Sequence, residues 1–528
     1  MKVDMKSTSC KAISWLFILT IILVNACQKT PPLTPTTTKA GTDLFGDIRL
    51  RIEQLIADGE VPSITVAVAF DGEILWEEGF GLADREKKIP ATENNAYPLA
   101  SISKTFTATA LMILVEQDLI DLDAPVNDYL GEAKLRAHVG NAAEATVRRV
   151  ANHTAGLPLH GQSFYDGEQD RPPPFAETIR RFGYLFTAPG ERWQYSNLGY
   201  GILGHIISRV SGREYAEFMQ EEVFTPLGMD RTSVHLGPGL EEYQAVKYTS
   251  DGMVVPPNDT DSPGADAIYS SAHDLIRFAM FHLKNDLSDQ RAIILDASID
   301  GMQRPSPETG PIEPWEHEGS GYGIGWFIGV TDDGLRVVYH TGGTLGVRTI
   351  LALVPEKDVA VAVLSNSDNE WRGLIATQIV CNLLSIAQET FLTPGGQAAT
   401  TQRFLPPSEL IGSWRGFVHT HQGEVGLMLK IEESGTIFAN LAEQPRVRLQ
   451  NVSYQDTLPQ FINAGGGFFL RGWMRCDLET ADVKRGRPSK IWLELKRREN
   501  VLNGSLVAFS QRELYTGPLS HWVELKKE

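Results

Sequence analysis

The chain has 528 residues, a formal net charge of −18 and 42% hydrophobic residues. This length exceeds that of one ordinary domain, and the composition is typical of a globular protein that buries a core. The acidic balance, without a cluster of basic residues, argues against nucleic acid as a partner. The sequence contains neither Cys-x-x-Cys nor His-Glu-x-x-His. It therefore predicts neither a structural zinc site nor a zinc protease.

Residues 1–26 predict a signal peptide, because lysines precede an apolar run at residues 13–24 that is shorter than the roughly 20 residues needed to span a bilayer. The sequence Val-Asn-Ala-Cys at residues 24–27 resembles a bacterial lipobox, which implies cleavage before Cys27 and attachment of a lipid to its sulfur. Residues 27–42 are rich in proline and threonine and predict a tether without a core. We therefore expect an exported lipoprotein of the cell envelope, on the periplasmic side and held at a membrane by its anchor. Ordinary secretion is the alternative.

The first predicted elements of the folded body are a helix and a hairpin. Residues 44–58 have the apolar spacing of an amphipathic helix, and residues 63–70 form a β-rich run. Asp71 and Gly72 separate this run from a second one at residues 73–80. An Asp-Gly pair between two such runs predicts a β-hairpin.

The stretch at residues 97–106 contains a Ser-x-x-Lys motif, Ser101 and Lys104, and runs into an apolar helix at residues 107–118. If the helix starts at Ser101, the spacing of three places the hydroxyl and the amine on one face, one turn apart. A serine becomes a good nucleophile when a neighbouring base takes its proton, and a lysine can do so if burial lowers its pKa. The motif alone is common, and a capping serine beside a solvated lysine is the alternative.

Helical patterns dominate the middle of the chain, and strand patterns follow. Helices are predicted at residues 121–130, 146–152, 198–210, 215–224 and 271–283, with a loop-like region at 160–185. An antiparallel meander is predicted at residues 323–330, 335–341, 348–354 and 359–365, followed by a helix at 374–387. For residues 43–390 the economical arrangement is an α/β (α+β) fold. In this fold one antiparallel sheet is built from both ends, flanked by helices, with an all-helical subdomain inserted and a site in the cleft between them.

The last part of the chain predicts a separate β domain. Residues 391–407 are rich in threonine, glycine and proline and predict a linker. Beyond it, Val425, Leu427 and Leu429 alternate with other residues, and similar runs continue almost to the end of the chain. Residues 408–528 therefore predict a C-terminal all-β domain, either a small barrel or a sandwich.

Two further motifs supply what acyl transfer by a serine requires. Tyr195-Ser196-Asn197 lies where a loop leads into a predicted helix, and residues 340–343, His-Thr-Gly-Gly, end a predicted strand. A tyrosine can relay a proton when a lysine cation holds it as phenolate, and an asparagine amide can orient the lysine and a substrate carbonyl. Glycines at a strand edge let a substrate approach the backbone, whose N–H groups can stabilise an oxyanion.

Taken in chain order, these three motifs resemble those of the β-lactamase-related serine hydrolases, the group of class C β-lactamases, DD-peptidases and esterases with the penicillin-binding-protein fold. The resemblance extends to residues 153–158, 226–229 and 268–271, and so spans about residues 45–390. It implies that Ser101 is the acylated nucleophile and that Lys104 and Tyr195 share the duties of general base and acid.

The resemblance also implies the rest of the site. The N–H groups of Ser101 and Gly343 would form the oxyanion hole. The residues that would orient the catalytic groups or bind the substrate are Asn197, His340, Thr341 and Gly342. No metal and no organic cofactor are implied, and the expected partner is a small acyl or peptide-like substrate.

Two positions depart from the usual pattern of this group. The third motif starts with His340 instead of lysine, as in some DD-peptidases and esterases. A histidine is mostly neutral at neutral pH, so it offers a hydrogen bond and lacks the fixed charge that would suit the carboxylate of a β-lactam. Asp266 stands where many relatives have glycine, and an ordinary loop residue is the favoured interpretation.

Other patterns have simpler explanations than a cofactor or metal site. The sequence G-x-G-x-x-G at residues 199–204 matches a dinucleotide-binding motif, but no strand precedes it, so we expect glycines that let a helix pack closely. His419 and His421 share one face of a predicted strand without an evident third ligand, which favours ordinary strand polarity. His153 is interpreted as a hydrogen-bonded structural residue.

Together these patterns predict a serine hydrolase that acts on an ester or amide through an acyl-enzyme. Esterase or D-amino-acid peptidase activity is favoured over β-lactamase activity. The alternative is a catalytically silent penicillin-binding or peptidoglycan-sensing envelope protein. The presence of Ser101, Lys104 and Tyr195 together argues against it, because a silent site does not need all three.

Overall fold

A computed structural model describes residues 44–167, 171–237, 239–285, 287–310, 312, 317–386, 405–455, 469–476, 489–510 and 517–528. The predicted signal peptide, the tether with Cys27 and most of the predicted linker lie outside these residues. Among the described residues, no helix is both long and apolar enough to cross a membrane.

The helices of the first structural unit follow the chain from residue 46 to residue 384. They are α1 (Gly46–Ala57), α2 (Ser103–Glu116), α3 (Val147–Ala151), α4 (Phe175–Phe182), α5 (Asn197–Ser211), α6 (Tyr215–Met219), α7 (Pro263–Asp266), α8 (Ala272–His282), α9 (Asp296–Met302) and α10 (Trp371–Leu384).

The strands of this unit are a few long ones near its two ends and many short ones between. They are β1 (Ser63–Phe70), β2 (Glu73–Asp84), β3 (Ile89–Pro90), β4 (Tyr97–Pro98), β5 (Arg136–Ala137), β6 (Ser163–Tyr165), β7 (Tyr184–Leu185), β8 (Thr232–Val234), β9 (Lys247–Tyr248), β10 (Val254–Val255), β11 (Asn258–Thr260), β12 (Ile268–Ser270), β13 (Gly321–Tyr322), β14 (Phe327–Val330), β15 (Arg336–Thr344), β16 (Val347–Val354) and β17 (Val359–Ser365).

The main sheet joins the two ends of this unit. Its strand order is β13-β14-β15-β16-β17-β1-β2-β3, and each pairing is antiparallel. The hairpin of β1 and β2 turns at Asp71-Gly72, and β1 pairs with β17 over its length. The predicted α/β (α+β) fold, with one sheet built from both ends and flanked by helices, is therefore confirmed.

Alternating side chains on the central strands cover the two faces of this sheet differently. Val66 and Val68 of β1 belong to the core formed with α1 and α10, whereas Ala67 and Ala69 belong to the core on the other face, with α8. Successive side chains of a strand point to opposite faces, so the valines pack against one layer of helices and the alanines against the other. The second face supports the turn before α2, which contacts β15 and β16 and carries Ser101.

The inserted region differs from an all-helical subdomain. It also contains short strands, including the three-stranded sheet β4-β12-β8. Residues 121–130 form a 3₁₀ turn at Val126–Asp128 where a helix is predicted, and α4 occupies part of the region predicted as a loop. The helix α4 follows three prolines directly and buries Ile179 and Phe182. In such a short amphipathic segment the hydrophobic periodicity is too weak to predict a helix, especially directly after a run of prolines.

The glycines at residues 199–204 lie inside α5 and serve close packing, as predicted. A Cβ on Gly201 would lie 2.7 Å from the ring of Phe175, and one on Gly204 would lie 3.2 Å from the Cα of Gly264 in α7. These contacts require positions without side chains. The packing role expected for these glycines is therefore confirmed.

The C-terminal region forms a second sheet. Its strands are β18 (Gly412–Thr420), β19 (Gly423–Ile431), β20 (Ile437–Leu441), β21 (Val447–Arg448), β22 (Gln450–Gln455), β23 (Phe469–Cys476), β24 (Ser489–Arg498), β25 (Val501–Ser510) and β26 (Pro518–Lys527). The order is β21-β20-β19-β18-β26-β25-β24-β23-β22.

This order makes the sheet a half-barrel. The strands β21 and β22 are consecutive in the chain but stand at opposite ends of the sheet, so the sheet must curl to bring its edges together. Alternating residues such as Leu427, Leu429, Leu493 and Leu495 are buried in its own apolar core. The predicted barrel-like all-β region is thereby confirmed.

Candidate active site

Ser101 lies in a strained turn at the start of α2. The turn Ala100–Ile102 is a 3₁₀ helix, and Ala100 has a φ of +48°, a left-handed conformation that costs energy for a residue with a Cβ. The helix α2 follows directly, with residues from Ser103 to Leu114 buried. Ser101 itself stays partly accessible. Its hydroxyl is therefore accessible at the N-terminal end of a buried helix.

Lys104 lies one turn further along the chain, and its ammonium group donates three hydrogen bonds. Its Nζ donates to Ser101 Oγ at 3.2 Å, to Asn197 Oδ1 at 2.9 Å and to the carbonyl oxygen of Ala265 at 3.0 Å. The side chain has no solvent exposure. The alternative of a solvated lysine beside a capping serine does not describe this residue, because Ser101 accepts from Lys104 and the lysine is buried.

Burial changes the proton affinity of Lys104. Desolvation lowers the pKa of this amine to about 7, although the charge of Asp266 raises it in part. Burial in turn raises the pKa of Asp266 to about 6, with the Lys104 charge acting in the opposite direction. The two groups influence each other, and both titrate close to neutral pH. A lysine with this pKa is half neutral near pH 7 and can take a proton from a hydroxyl.

The N-terminus of α5 places Tyr195 and Asn197. The Oγ of Ser196 caps this helix by accepting from the N–H of Gly199 at 3.0 Å, and it donates to the carbonyl oxygen of Pro158 at 2.8 Å. Asn197, the first residue of the helix, faces Lys104. Tyr195 immediately precedes the cap, and its ring centroid lies 4.8 Å from Lys104 Nζ.

The hydroxyl of Tyr195 is buried beside Ser101. Burial raises the pKa of Tyr195 well above its usual value, and interaction with the Ser101 side chain lowers it only in part. The Oη makes no hydrogen bond of normal geometry to a described residue. Tyr195 is therefore a neutral phenol at neutral pH in the ligand-free protein. This pKa direction favours Lys104 as the resting base, in place of the phenolate considered from the sequence.

His153 fixes the backbone on both sides of Tyr195. Its carbonyl oxygen accepts from the N–H of Gln194 at 2.8 Å, and its Nδ1 accepts from the N–H of Ser196 at 3.2 Å. The imidazole packs on the ring of Tyr195 with centroids 4.4 Å apart. Burial lowers the pKa of His153 well below its usual value, so the ring is neutral. The structural role expected from the sequence is thus a specific one, because His153 positions Tyr195.

His340 lies behind the site and not on its surface. Its side chain has no solvent exposure, and burial lowers its pKa to about 3. The Nδ1 lies 2.7 Å from the carbonyl oxygen of Thr341, which can only accept, so Nδ1 carries the hydrogen. The Nε2 then accepts from the hydroxyl of Tyr322 at 3.2 Å. The hydrogen bond expected for a substrate is made to Tyr322 in the ligand-free protein.

Gly342 brings β15 against the nucleophile turn. A Cβ at this position would clash with the carbonyl oxygen of Leu99 and the hydroxyl of Thr349. Within the described part of the sheet, β14 reaches only to Tyr339, so residues 340–344 pair with β16 alone and leave one backbone edge open. Thr341 and Gly343 of this segment are partly accessible. An open strand edge beside Ser101 is the arrangement from which backbone N–H groups can bind an oxyanion.

The structure therefore brings most of the sequence-predicted residues together. Ser101, Lys104, Tyr195 and Asn197 form one contiguous cluster, and the segment with Thr341, Gly342 and Gly343 borders it. His340 lies behind this group, where it is held by β15 and by its hydrogen bond with Tyr322. Among the described residues, no group of three potential ligands is arranged to hold a metal ion. Cys27 lies outside the described residues. The cluster can take a proton from Ser101 and stabilise the charge that develops on an attacked carbonyl.

Comparisons with known proteins show the family to which the chain is related. The sequence model of the beta-lactamase family matches residues 48–379. The chain is 28% identical over 329 residues to penicillin-binding protein 4* of Bacillus subtilis, a match that covers 58% of this chain and 68% of that protein. It is 27% identical over 346 residues to the unguisins hydrolase of Aspergillus campestris, with 63% of each protein covered.

The fold is similar to that of the octameric penicillin-binding protein homologue from Pyrococcus abyssi. That match has a TM-score of 0.57 and 24% identity, and covers 91% of this chain and 100% of the other, so it includes the C-terminal sheet. The family model alone spans more than half of the chain. The chain thus belongs to the beta-lactamase family, a family of serine hydrolases that share this fold.

Proposed function

We propose that this protein hydrolyses an ester or amide through an acyl-enzyme on Ser101, and that esters and D-aminoacyl substrates are favoured over β-lactams. The observation that carries the proposal is the position of Lys104. Its amine lies 3.2 Å from Ser101 Oγ, and burial lowers its pKa to about 7. General base catalysis works best when the pKa of the base lies near the working pH.

The reaction would proceed in two steps. Neutral Lys104 takes the proton of Ser101 while Oγ attacks the carbonyl carbon, and backbone N–H groups at Ser101 and Gly343 stabilise the oxyanion. Tyr195, as a neutral phenol, donates a proton to the leaving alkoxide or amine and is recharged by Lys104. Water then attacks the acyl-enzyme with the same groups in reversed roles, which releases the acid and restores Ser101.

The preference for neutral substrates follows from the missing cation in the third motif. A lysine there would pair with the carboxylate that a β-lactam carries, whereas His340 is neutral and buried. Arg348, which packs beside Gly343, already pairs with Glu370 at 2.6 Å. In a partly solvated cleft, an absent charge pair costs on the order of 1–2 kcal/mol, or roughly five- to thirtyfold in affinity.

A substrate panel tests this proposal. Purified protein should release product from p-nitrophenyl esters or D-aminoacyl anilides with a higher kcat/KM than from nitrocefin. A fluorophosphonate probe should label Ser101, as mapped by peptide mass spectrometry, and Ser101→Ala should abolish both labelling and turnover. Label at another serine, or undiminished turnover in Ser101→Ala, would contradict the nucleophile assignment.

The alternative function, a silent penicillin-binding or peptidoglycan-sensing protein, makes a different prediction. Such a protein would acylate once with penicillin or the probe and release no product from any substrate class. The buried base and the neutral phenol of Tyr195 favour turnover, because both are needed for deacylation as well as acylation. Stoichiometric labelling without turnover would support the alternative.

We propose in addition that Cys27 anchors the protein at the envelope, which rests on the sequence of residues 24–27. Cells grown with an alkyne-labelled fatty acid should give a lipidated protein in the membrane fraction. In Cys27→Ala the label should be lost and the protein should leave the membrane fraction. An unlabelled wild-type protein found only in the medium or periplasm would contradict the anchor.

A further inference from the structure

Charged residues of the C-terminal sheet contact the segment that leads to Tyr195. In β24, Leu493 and Leu495 point into the half-barrel core, so the alternate residues Glu494, Lys496 and Arg498 share the opposite face. All three of these charged residues contact the first structural unit. The face of β24 that the half-barrel does not bury is therefore an interface within the chain.

The contacts made by this face are ion pairs with little exposure. Lys496 Nζ lies 2.7 Å from Glu191 Oε1, and Arg498 Nη2 lies 2.9 Å from Glu191 Oε2. Glu494 pairs with Arg192. The side chains of Glu191 and Lys496 are 13% and 11% exposed, which separates them from ordinary surface ion pairs that contribute little.

The ionised form of Glu191 is stabilised by its cationic partners. Burial alone would raise the pKa of this carboxyl, but the hydrogen bond from Lys496 and the charge of Arg498 outweigh burial and leave the pKa below its usual value. A partly buried carboxylate of this kind is stable only while its cations stay in place. Loss of either side of the contact would leave unpaired charge at the interface.

From these ion pairs a short chain of contacts reaches Tyr195. Arg192 Nη2 donates to Gln194 Oε1 at 2.8 Å, and the N–H of Gln194 donates to the carbonyl oxygen of His153 at 2.8 Å. His153 in turn packs on Tyr195. The segment at residues 188–196, here called the tyrosine segment, is thus held by His153 on one side and by β24 on the other.

We propose that β24 positions Tyr195 through Glu191 and Arg192, so that the C-terminal sheet belongs to the catalytic unit. This inference rests on the proposed function, because it assigns a consequence to the placement of Tyr195. Glu191, Arg192, Glu494, Lys496 and Arg498 are positioning residues, since they act on Tyr195 through the tyrosine segment. A small displacement of a proton-transfer group lowers the rate of the chemical step more than it lowers substrate binding.

The test uses the full chain and three variants. Glu191→Gln keeps the shape of the side chain but leaves two cations unpaired, and Lys496→Arg keeps the charge. Lys284→Met is the matched control, because it removes a lysine ion pair with Asp300 at 2.8 Å that does not involve the C-terminal sheet. Two quantities are measured: kcat per active site, titrated with a fluorophosphonate probe, and amide hydrogen exchange of a peptide covering the tyrosine segment.

In Glu191→Gln, kcat per active site should fall about threefold with little change in KM, and exchange in the tyrosine segment should accelerate. Lys496→Arg and Lys284→Met should match the wild type in both measurements. Unchanged exchange in Glu191→Gln overturns the proposal, as does unchanged kcat with faster exchange. Wild-type protein without labelling or turnover would overturn the proposed function instead, and the exchange data would still decide whether β24 holds the segment.

Discussion

Replacing Lys104 with arginine should lower kcat/KM at pH 7 by about a thousandfold, within the range that a positioned general base contributes. Arginine keeps the positive charge and can still donate hydrogen bonds, but a guanidinium does not lose its proton in proteins. The variant therefore separates a lysine that acts as a base from one that acts only as a fixed cation. Steady-state kinetics with an activated ester, at a concentration verified by active-site titration, measures the effect.

A second variant distinguishes the loss of the base from a folding defect. The site of Lys104 has no solvent exposure, so the larger guanidinium can disturb packing. Lys104→Met is unbranched, apolar and similar in length, and should fold while losing the base. We expect a loss of similar size in both variants, with thermal unfolding close to that of the wild type in Lys104→Met. Activity within about tenfold of the wild type in either folded variant would exclude the general-base role.

The pH dependence of the wild type follows from the same pKa. The neutral amine is the active form, and it is produced as the pH rises through about 7. The value of kcat/KM should therefore rise with pH along an acid limb centred there and approach a plateau above it. At one pH unit below the midpoint, about one tenth of the plateau remains.

The parts of the molecule that local sequence patterns determine could be predicted. The Asp71-Gly72 turn specified the hairpin, and the alternation of valine and alanine in β1 reflects a strand covered on both faces. The spacing of Ser101 and Lys104 within one helical turn places them together in almost any helix. These features depend on neighbours close in the chain, which a sequence pattern records directly.

What the sequence could not provide depends on contacts between distant segments. The burial of His340 depends on Tyr322, which approaches it from β13, and the role of His153 depends on a loop some forty residues away. The alternation in β24 predicted which face would be apolar, but not that the charged face meets Glu191. Such contacts are fixed by the three-dimensional packing of whole elements, and a single sequence without an alignment does not encode them in a local period.

Asp266 is the residue whose significance changes most between sequence and structure. It ends α7, directly after Ala265, whose carbonyl oxygen accepts from Lys104. Its Oδ1 is buried and unpartnered among the described residues, while its carboxyl group interacts with Thr260. The charge of Asp266 raises the pKa of Lys104 against the effect of burial. A glycine at this position would leave the lysine without that charge.

Asp266→Asn should consequently shift the acid limb of kcat/KM to lower pH. The substitution keeps the shape of the side chain and its contact with Thr260 but removes the negative charge, so the pKa of Lys104 falls further below its value of about 7. Because Asp266 itself titrates with a pKa of about 6, the rise in kcat/KM should be modest and largest between about pH 6 and 7, with the plateau above pH 8 little changed.

The control for this shift is Asp259→Asn, which removes a half-exposed carboxylate from the neighbouring strand β11, where it pairs with His235 at 3.4 Å. It should leave the acid limb of kcat/KM where the wild type has it. A purely structural Asp266 would lower activity or the unfolding temperature without moving the midpoint. An acid limb that stays in place in Asp266→Asn, or that moves to higher pH, would therefore mean that this carboxylate does not set the proton affinity of Lys104. Movement to lower pH in that variant alone would identify Asp266 as the group that keeps the base of this site close to neutrality.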